Sequence, residues 1–586
     1  MSEPSSPLRV GLIQLQPRKA RVEENLARVR DRVAELAGDH DVLVFPETVL
    51  SGYFLQGGVS EAARTAQEVA DGLGIPPQGA PDVVLGFYER WRRRLYNAVA
   101  WLTPGAEGWE VLHVHRKMFL PTYGVFDEAR FVEAGRTVET VDTRFGRVGM
   151  LICEELWHSL PPTILAVAGA ELIVVVSASP ARDLTPAEDG RPEKLLRWER
   201  LARGVAEEHG VFVAVSQLVG SEGGKLLAGG SLAVGPDGRI LARGPLLEEA
   251  VVEASLDGVL LDRARSASPL LADLEQMLPH LEEALVDARL GGTTAPEAPS
   301  LHGTGTSTRL VPTGRECLEL DPELVERALV RFIRDEVSVR RGFQRVVVGV
   351  SGGVDSAVSL ALACRALGPE NVHGFRLPYR TSSTESLDHA RLILEHTGAR
   401  EHTIDISGMV DAYVEAFEPD VSPQRKGNLM ARTRAVILFD QSAKLHALPL
   451  GTGNKSERLL GYYTWHADDS PPINPLGDLF KTQVWALARH LGVPDAIVDK
   501  PATADLIQGV SDEDELGISY PEADPILHWL VQGYHAVDLV RSGFDPDRVA
   551  LVEGRLNATH WKRELPTVAL LSSSAIGEFY LRPVDY

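Results

Sequence analysis

Three side chains far apart along the sequence are of the types needed to break an amide: Glu47, Lys117 and Cys153. A thiol becomes a strong nucleophile once deprotonated, a neighbouring ammonium lowers its pKa, and a carboxylate can take the proton and return it. Such a trio can cleave a carboxamide through a thioester and release ammonia. The second half of the chain carries a different device, Gly349-Val350-Ser351-Gly352-Gly353-Val354-Asp355-Ser356. Its glycines let backbone N–H groups approach phosphate oxygens, its serine hydroxyls can donate to anionic oxygens, and a following helix N-terminus adds positive potential. This is a pyrophosphate cradle. It is not a Walker loop, because the Gly-Lys-Ser/Thr ending is absent. A source of ammonia and a site that consumes ATP, on one chain, point to an amidating enzyme.

Strand ends must position these groups. Glu47 follows Val42-Leu-Val-Phe-Pro, Lys117 follows the extended stretch Val111 to Arg116, and Cys153 closes Met150-Leu-Ile. Other apolar runs, Arg9 to Gln14, Tyr96 to Leu102, Glu171 to Ser177 and Val211 to Ser216, alternate with helical stretches such as Glu23 to Leu36. Hairpin signals such as Pro236-Asp-Gly-Arg interrupt that alternation, so a layered sandwich is expected rather than a doubly wound sheet. An acidic helix near Leu271 to Ala288 and Gly/Pro/Thr-rich segments after it read as a linker. Beyond it, helix Pro322 to Val339, strand Arg345 to Val350 and further strand-helix units predict a parallel α/β domain with ligands at the carboxyl ends of its strands. The expected division is 1–263, a linker 264–320, and 321–586.

At 586 residues the chain exceeds the size at which one core stops growing, and 44% hydrophobic with 24% charged residues is ordinary for globular proteins. No stretch of 18 uncharged apolar residues occurs, and the first residues lack the basic and apolar regions of a secretory signal, so a cytoplasmic protein without a membrane partner is expected. Three scattered cysteines are too few for a disulfide framework or a zinc site. A formal charge of −23 without long basic runs argues against nucleic acid as a partner.

Taken singly, Glu47, Lys117 and Cys153 are more often a turn carboxylate, a surface lysine and a core cysteine. Their surroundings are distinctive. Pro46-Glu47, the segment Arg116 to Glu128, and Gly149-Met-Leu-Ile-Cys153-Glu-Glu-Leu-Trp157 together resemble the nitrilase superfamily, as do Ser177-Ala-Ser-Pro180 and Gly229 to Gly238. The resemblance implies an αββα sandwich with Glu47 as base, Lys117 as stabiliser of the tetrahedral intermediate and Cys153 as nucleophile. Tyr123 and Ser179 match positions lining a glutamine pocket. Arg182 is assigned as the pocket arginine, in a segment, Ala181 to Trp198, that departs from the family's shorter form.

The Ser351 to Ser356 loop resembles the ATP pyrophosphatases, which adenylate a substrate carbonyl. Gly451 to Thr464, Asn474 to Val484, Lys500 to Leu506 and Ser511 to Gly517 narrow this to a close resemblance to the NAD synthetase family. With a nitrilase-type domain in front, the architecture looks like that family's glutamine-dependent branch: a doubly wound parallel α/β domain of the adenine nucleotide alpha-hydrolase kind behind an amidase. The resemblance implies glutamine, ATP and deamido-NAD as substrates. It places ATP on Gly349 to Ser356, Thr452 and Lys481, and Mg²⁺ on Asp355 and Glu457. It places deamido-NAD on Asn428, Glu457, Tyr462, Tyr463, Thr464, Trp465, Asp468 and Lys562. Cations, amides and an aromatic wall suit a ligand with a pyrophosphate, riboses and an aromatic ring. One departure is Ala467, where a glycine is expected before Asp468. A homo-oligomer, dimer or octamer, and a shielded passage for ammonia are further expectations.

Overall fold

The computed structural model describes residues 6–181, 191–291, 310–503 and 511–564. These fall into two units, the first comprising 6–181 and 191–291, the second 310–503 and 511–564.

In the first unit one six-stranded sheet contains β1 (Leu8–Gln14), β2 (Val42–Val44), β3 (Asp82–Trp91), β4 (Arg94–Pro104) and β5 (Trp109–Arg116), with β14 (Ala250–Leu256) returning to pair antiparallel with β1. The other contains β6 (Thr140–Thr143), β7 (Gly146–Ile152), β8 (Leu172–Ser177), β9 (Phe212–Gln217), β12 (Leu232–Val234) and β13 (Ile240–Arg243). A separate hairpin joins β10 (Val219–Glu222) to β11 (Lys225–Ala228). Side-chain alternation along each strand explains the layering. Val10 and Leu12 of β1, with Val42 and Val44 of β2, share a core with Met150, Ile152 and Val174 of the other sheet. Their neighbours Ile13 and Leu43 face the opposite way, onto a core completed by Val29 and Val33 of the helix Val22–Glu35. Helices Leu160–Val167 and Glu193–His209 cover the outer face of the second sheet through Leu165, Trp198, Ala202 and Ala206. The expected αββα sandwich is present, and the Pro236 hairpin lies between β12 and β13.

The second unit is built on a four-stranded, all-parallel sheet of β15 (Val346–Gly349), β16 (Val372–Arg376), β17 (Arg400–Thr403) and β18 (Leu448–Leu450), in the order β17-β16-β15-β18. Alternation again sends side chains to both faces. Val346 and Val348 join the core that includes helices Val354–Leu367 and Lys481–Leu491, whereas Val347 joins Val410, Met430 and Ile437 on the other side. The chain proceeds outward from β15 to β17 and then returns to β15's free side with β18. That reversal opens a crevice at the carboxyl ends of β15 and β18, the place where open α/β sheets bind ligands.

Candidate active site

In the first unit four of the groups sit just past the carboxyl end of a strand: Glu47 after β2, Lys117 after β5, Cys153 after β7 and Ala178 after β8. Tight packing makes this possible. A Cβ on Gly86 of β3 would lie 2.5 Å from the Glu47 Cα, so only glycine lets that loop lie across the strand. Cys153 has φ 47°, in the left-handed region that a side chain rarely adopts, and so stands on a sharp turn between β7 and the short helical segment that follows.

Lys117 Nζ donates to Glu47 Oε1 at 2.8 Å and to Glu128 Oε2 at 2.8 Å. Asn97 Nδ2 donates to both carboxylates, at 2.7 Å to Glu47 and 2.5 Å to Glu128. The other Glu47 oxygen accepts from the Ala178 N–H at 2.7 Å, and the Tyr53 hydroxyl donates to Glu128 at 3.0 Å. Ser177 Oγ donates to Cys153 Sγ at 3.4 Å. Glu47, Lys117, Glu128 and Cys153 are all buried. The loop bearing Tyr53 is itself held by Glu222, which accepts from the Tyr53 and Phe54 N–H groups at 2.9 and 3.0 Å.

Electrostatics follow from this burial. Burial opposes the Lys117 charge, but Glu128 and Glu47 outweigh it and hold the ammonium well above the ordinary lysine range. Burial raises Glu128, against the pull of Lys117. Burial also pushes the Cys153 thiol up to about 12, Glu47 pushes the same way, and Lys117 offsets them only in part. Lys117 thus lowers the thiol as the sequence suggested, but burial first and Glu47 second outweigh it and favour the neutral thiol. Its proton must leave as the bond to carbon forms.

Tyr123 and Ser179 flank this centre. The exposed Tyr123 donates to Glu154 at 2.8 Å; burial and Glu154 raise its phenol to about 12, and Cys153 acts on it as well. Ser179 accepts from Trp198 Nε1 at 3.2 Å. A cavity of about 150 Å³ lies against Glu128 and Tyr53, lined also by Phe54, Phe126, Arg130 and Lys225. Arg182 lies outside the described residues. Glu128 and Asn97 are the groups sequence reasoning missed. Glu128 stood inside the Arg116 to Glu128 segment without a role, and nothing local distinguishes Asn97. Glu128→Gln is expected to lower glutamine hydrolysis by roughly 10- to 100-fold, as a displaced ammonium would, while leaving ammonium-driven synthesis intact; steady-state assays with the two donors check this.

In the second unit the Gly349 to Ser356 loop leaves β15 and enters helix Val354–Leu367 at the crevice. Gly352 has φ 83°, and a Cβ there would lie 2.2 Å from the Ser386 carbonyl oxygen. Ser351 and Ser356 hydroxyls lie 3.2 Å apart, and Ser356 Oγ donates to the Gly353 carbonyl at 3.0 Å. From the β18 side, Asn454 Nδ2 donates to Asp355 at 3.0 Å, and Lys481 pairs with Asp355 and, at 3.4 Å, with Glu457. Burial and then Asp355 push Glu457 up to about 8, against Lys481. Thr452 follows β18 at the same crevice.

A second group gathers around residues 461–468. Thr464 Oγ1 donates to Asn428 at 2.9 Å, Lys562 Nζ donates to the Gly461 and Tyr463 carbonyls at 2.8 and 3.0 Å, and Trp465 packs edge-on to Trp561 at 5.3 Å. Tyr463 OH donates to the Lys562 carbonyl at 2.6 Å. Tyr462 OH lies 2.5 Å from Glu515 and 3.2 Å from Asp512, the two carboxylates sharing its one donor. Asp468 closes the turn by accepting from the Thr464 N–H at 2.8 Å. The positive φ of this turn, 59°, belongs to His466, so Ala467 needs no glycine's freedom.

Comparison with known proteins bears on both units. The carbon-nitrogen hydrolase family matches residues 9–266 and the NAD synthase family residues 325–566. The glutamine-dependent NAD(+) synthetase of Thermotoga maritima is 31% identical over 98% of both chains. The chain belongs to the glutamine-dependent NAD(+) synthetases. The NH(3)-dependent NAD(+) synthetase of Trichlorobacter lovleyi is 45% identical over 260 residues, covering 44% of this chain and 94% of that one. The glutamine-dependent NAD+ synthetase of Acinetobacter baumannii, solved with adenosine diphosphate, shares the fold with a TM-score of 0.69 at 23% identity over 98% of each chain. As in other glutamine-dependent NAD(+) synthetases, an amidase and a synthetase share one polypeptide here.

Proposed function

We infer that this protein hydrolyses glutamine to glutamate and ammonia, adenylates deamido-NAD with ATP, and amidates it to NAD⁺ with release of AMP and pyrophosphate. The observation that carries this reading is the presence, in one family member, of both the buried Glu47-Lys117-Glu128-Cys153 cluster and the crevice of Asp355, Glu457 and Lys481 beside the Ser351 to Ser356 loop.

In the amidase, Cys153 Sγ attacks the side-chain amide carbon of glutamine while Glu47 takes the thiol proton. Lys117 has three N–H donors, two committed to Glu47 and Glu128; the third supports the developing oxyanion. Glu47 returns the proton to nitrogen and ammonia leaves; a water deprotonated by Glu47 then attacks the thioester, the C–S bond breaks to release glutamate, and Glu47 passes the proton back to the Cys153 sulfur. Tyr123 and Ser179 are assigned to the glutamine site.

In the synthetase the nicotinate carboxylate attacks the α phosphorus of ATP. The bond to the β phosphate breaks, and ammonia then displaces AMP from the acyl adenylate, losing one proton. The Gly349 to Ser356 backbone and serine hydroxyls hold phosphate oxygens, exchanging their bonds to one another for bonds to the anion, with Thr452 beside them. Lys481 supplies positive charge at the same place. Asn428, Tyr462 to Trp465, Asp468 and Lys562 are assigned to deamido-NAD.

Asp355 and Glu457 fit Mg²⁺. Both are hard oxygen donors, and they already share one cation in Lys481. Among the described residues no three His, Cys, Asp or Glu form a metal cage by themselves, which suits an ion completing its shell with phosphate oxygens. Such an ion would supply positive charge against the phosphates.

A cytoplasmic homo-oligomer completes the proposal. Cys153, Cys317 and Cys364 are all free, as in a reducing compartment. Met409, Tyr413 and Phe417 expose an apolar row on helix Ser407–Phe417, and sedimentation equilibrium gives the subunit number.

The test is NAD⁺ formation from deamido-NAD, ATP and Mg²⁺ with glutamine or ammonium, following AMP and glutamate together. NAD⁺ with both donors is expected. Glutamate release without NAD⁺ would leave the amidase and reopen the identity of the acceptor; NAD⁺ from ammonium alone would make the first unit a silent module.

A further inference from the structure

Glu155 lies two residues past the nucleophile, and its side chain is fully buried between the two sheets of the sandwich. One carboxylate oxygen accepts from the Met118 N–H at 2.7 Å. The other accepts from the Ile152 N–H at 2.7 Å and bonds His115 Nε2 at 2.7 Å. Met118 directly follows Lys117 at the end of β5, and Ile152 directly precedes Cys153 at the end of β7. Those strands belong to different sheets and share no ladder. A single side chain therefore ties together the two backbones that carry the ammonium and the thiol.

We propose that Glu155 is a positioning residue for amide cleavage, its carboxylate setting the spacing between Lys117 and Cys153 by holding the strand ends on either side. The proposal rests on the amidase reading given above. His115, on β5 two residues before Lys117, completes the device. Its ring braces the carboxylate from the same strand, so the acceptor cannot rotate away from Met118 without losing the His115 contact as well. The reason such a brace matters is geometric: a displacement of about 1 Å between reacting groups costs on the order of 10²-fold in rate. Glu47 makes the only comparable link, from β2 to the Ala178 N–H after β8, among the hydrogen bonds of the catalytic cluster described above. That link belongs to a group that itself handles the proton. Glu155 has no such duty, because all its bonds run to backbone N–H groups and His115.

Two variants of the full-length protein separate reach from charge. Glu155→Gln keeps the length but turns one acceptor into an N–H donor, which cannot serve both backbones. Glu155→Asp keeps the charge beside His115 but is one methylene too short to span them. In both, kcat for glutamine hydrolysis is expected to fall roughly 10- to 100-fold, with KM for glutamine and ammonium-driven NAD⁺ synthesis held within about twofold of the parent. A second readout is the rate of iodoacetamide alkylation at Cys153, mapped by peptide mass at pH 8. If Lys117 drifts from the thiol, its lowering effect is lost and Cys153 reacts more slowly. General loosening would instead let water reach the thiol and speed the reaction. Slower alkylation with a kcat loss supports the proposal. An unchanged kcat in Glu155→Asp, or faster alkylation in either variant, overturns it. The alkylation arm reads Glu155 even in a parent that turns over no glutamine, so failure of the functional reading appears in the parent and failure of the positioning role in the variants.

Discussion

Cys153→Ala is expected to abolish glutamine-driven NAD⁺ formation, by on the order of 10⁴- to 10⁶-fold as removal of a covalent nucleophile does in other enzymes, while ammonium-driven formation stays within about twofold of the parent. Nothing else in the cluster can replace the sulfur. Ser177 Oγ, 3.4 Å away, donates its hydrogen to Sγ and is not paired with a base. Glu47 and Glu128 are committed to Lys117 and Asn97. Burial favours the neutral thiol at this position, and the alanine leaves Lys117 paired with Glu47 and Glu128, so no buried charge is stranded by the change. The protein should therefore keep its thermal midpoint, and the loss should lie in chemistry rather than folding. The check is a paired assay of glutamate and NAD⁺ at saturating glutamine and again at saturating ammonium. Substantial NAD⁺ from glutamine in the variant would remove Cys153 from the mechanism. Loss with both donors would mean that the substitution disturbs more than the amidase.

Much of this centre was legible because Glu47, Lys117 and Cys153 each end an apolar run, and strand ends in an α/β layer point at one edge. What was not legible is whatever depends on burial or on long-range pairing. The pull of Lys117 on Cys153 was legible from charge type, but sequence could not show that Lys117 would be shared between two carboxylates, nor that burial would outweigh it at the thiol. Glu128 meets Lys117 across 11 residues, but its other partners, Asn97 and Tyr53, lie 31 and 75 residues away. Glu155 sat beside the nucleophile in plain view, yet its role depends on Met118, 37 residues earlier and just past a strand of the other sheet. In the second unit the strand-helix pattern predicted a parallel sheet correctly. It could not tell that β18 returns to the far side of β15, and that return brings Asn454 and Glu457 to Asp355. Ala467 stands where a glycine was expected, but the positive φ of its turn belongs to His466.

Asp355→Ala should be the mirror image, losing NAD⁺ formation with both donors by roughly 10²- to 10³-fold or more, as when a preorganised electrostatic group is removed, while glutamate release continues. Asp355 stands in the first turn of the helix that the phosphate loop enters, accepts from Asn454 at 3.0 Å and pairs with Lys481. Removing it frees Lys481 to swing fully onto Glu457, 3.4 Å away. The ammonium would then be drawn off the loop, and Asn454 would lose the carboxylate that turns it toward the β15 side. Burial first and Asp355's charge second raise Glu457, so its pKa should fall in the variant as the repulsion is relieved, and a single carboxylate would remain where two are proposed to hold the metal. Raising Mg²⁺ should recover little of the rate, because the missing oxygen belongs to the protein. NAD⁺ formation at the parental rate in Asp355→Ala would refute both the metal assignment and the placement of the phosphates at this crevice. Loss of glutamate release together with NAD⁺ would instead reveal that the amidase depends on an occupied synthetase, a coupling that titrating ATP and deamido-NAD into the parent while following glutamate would measure directly.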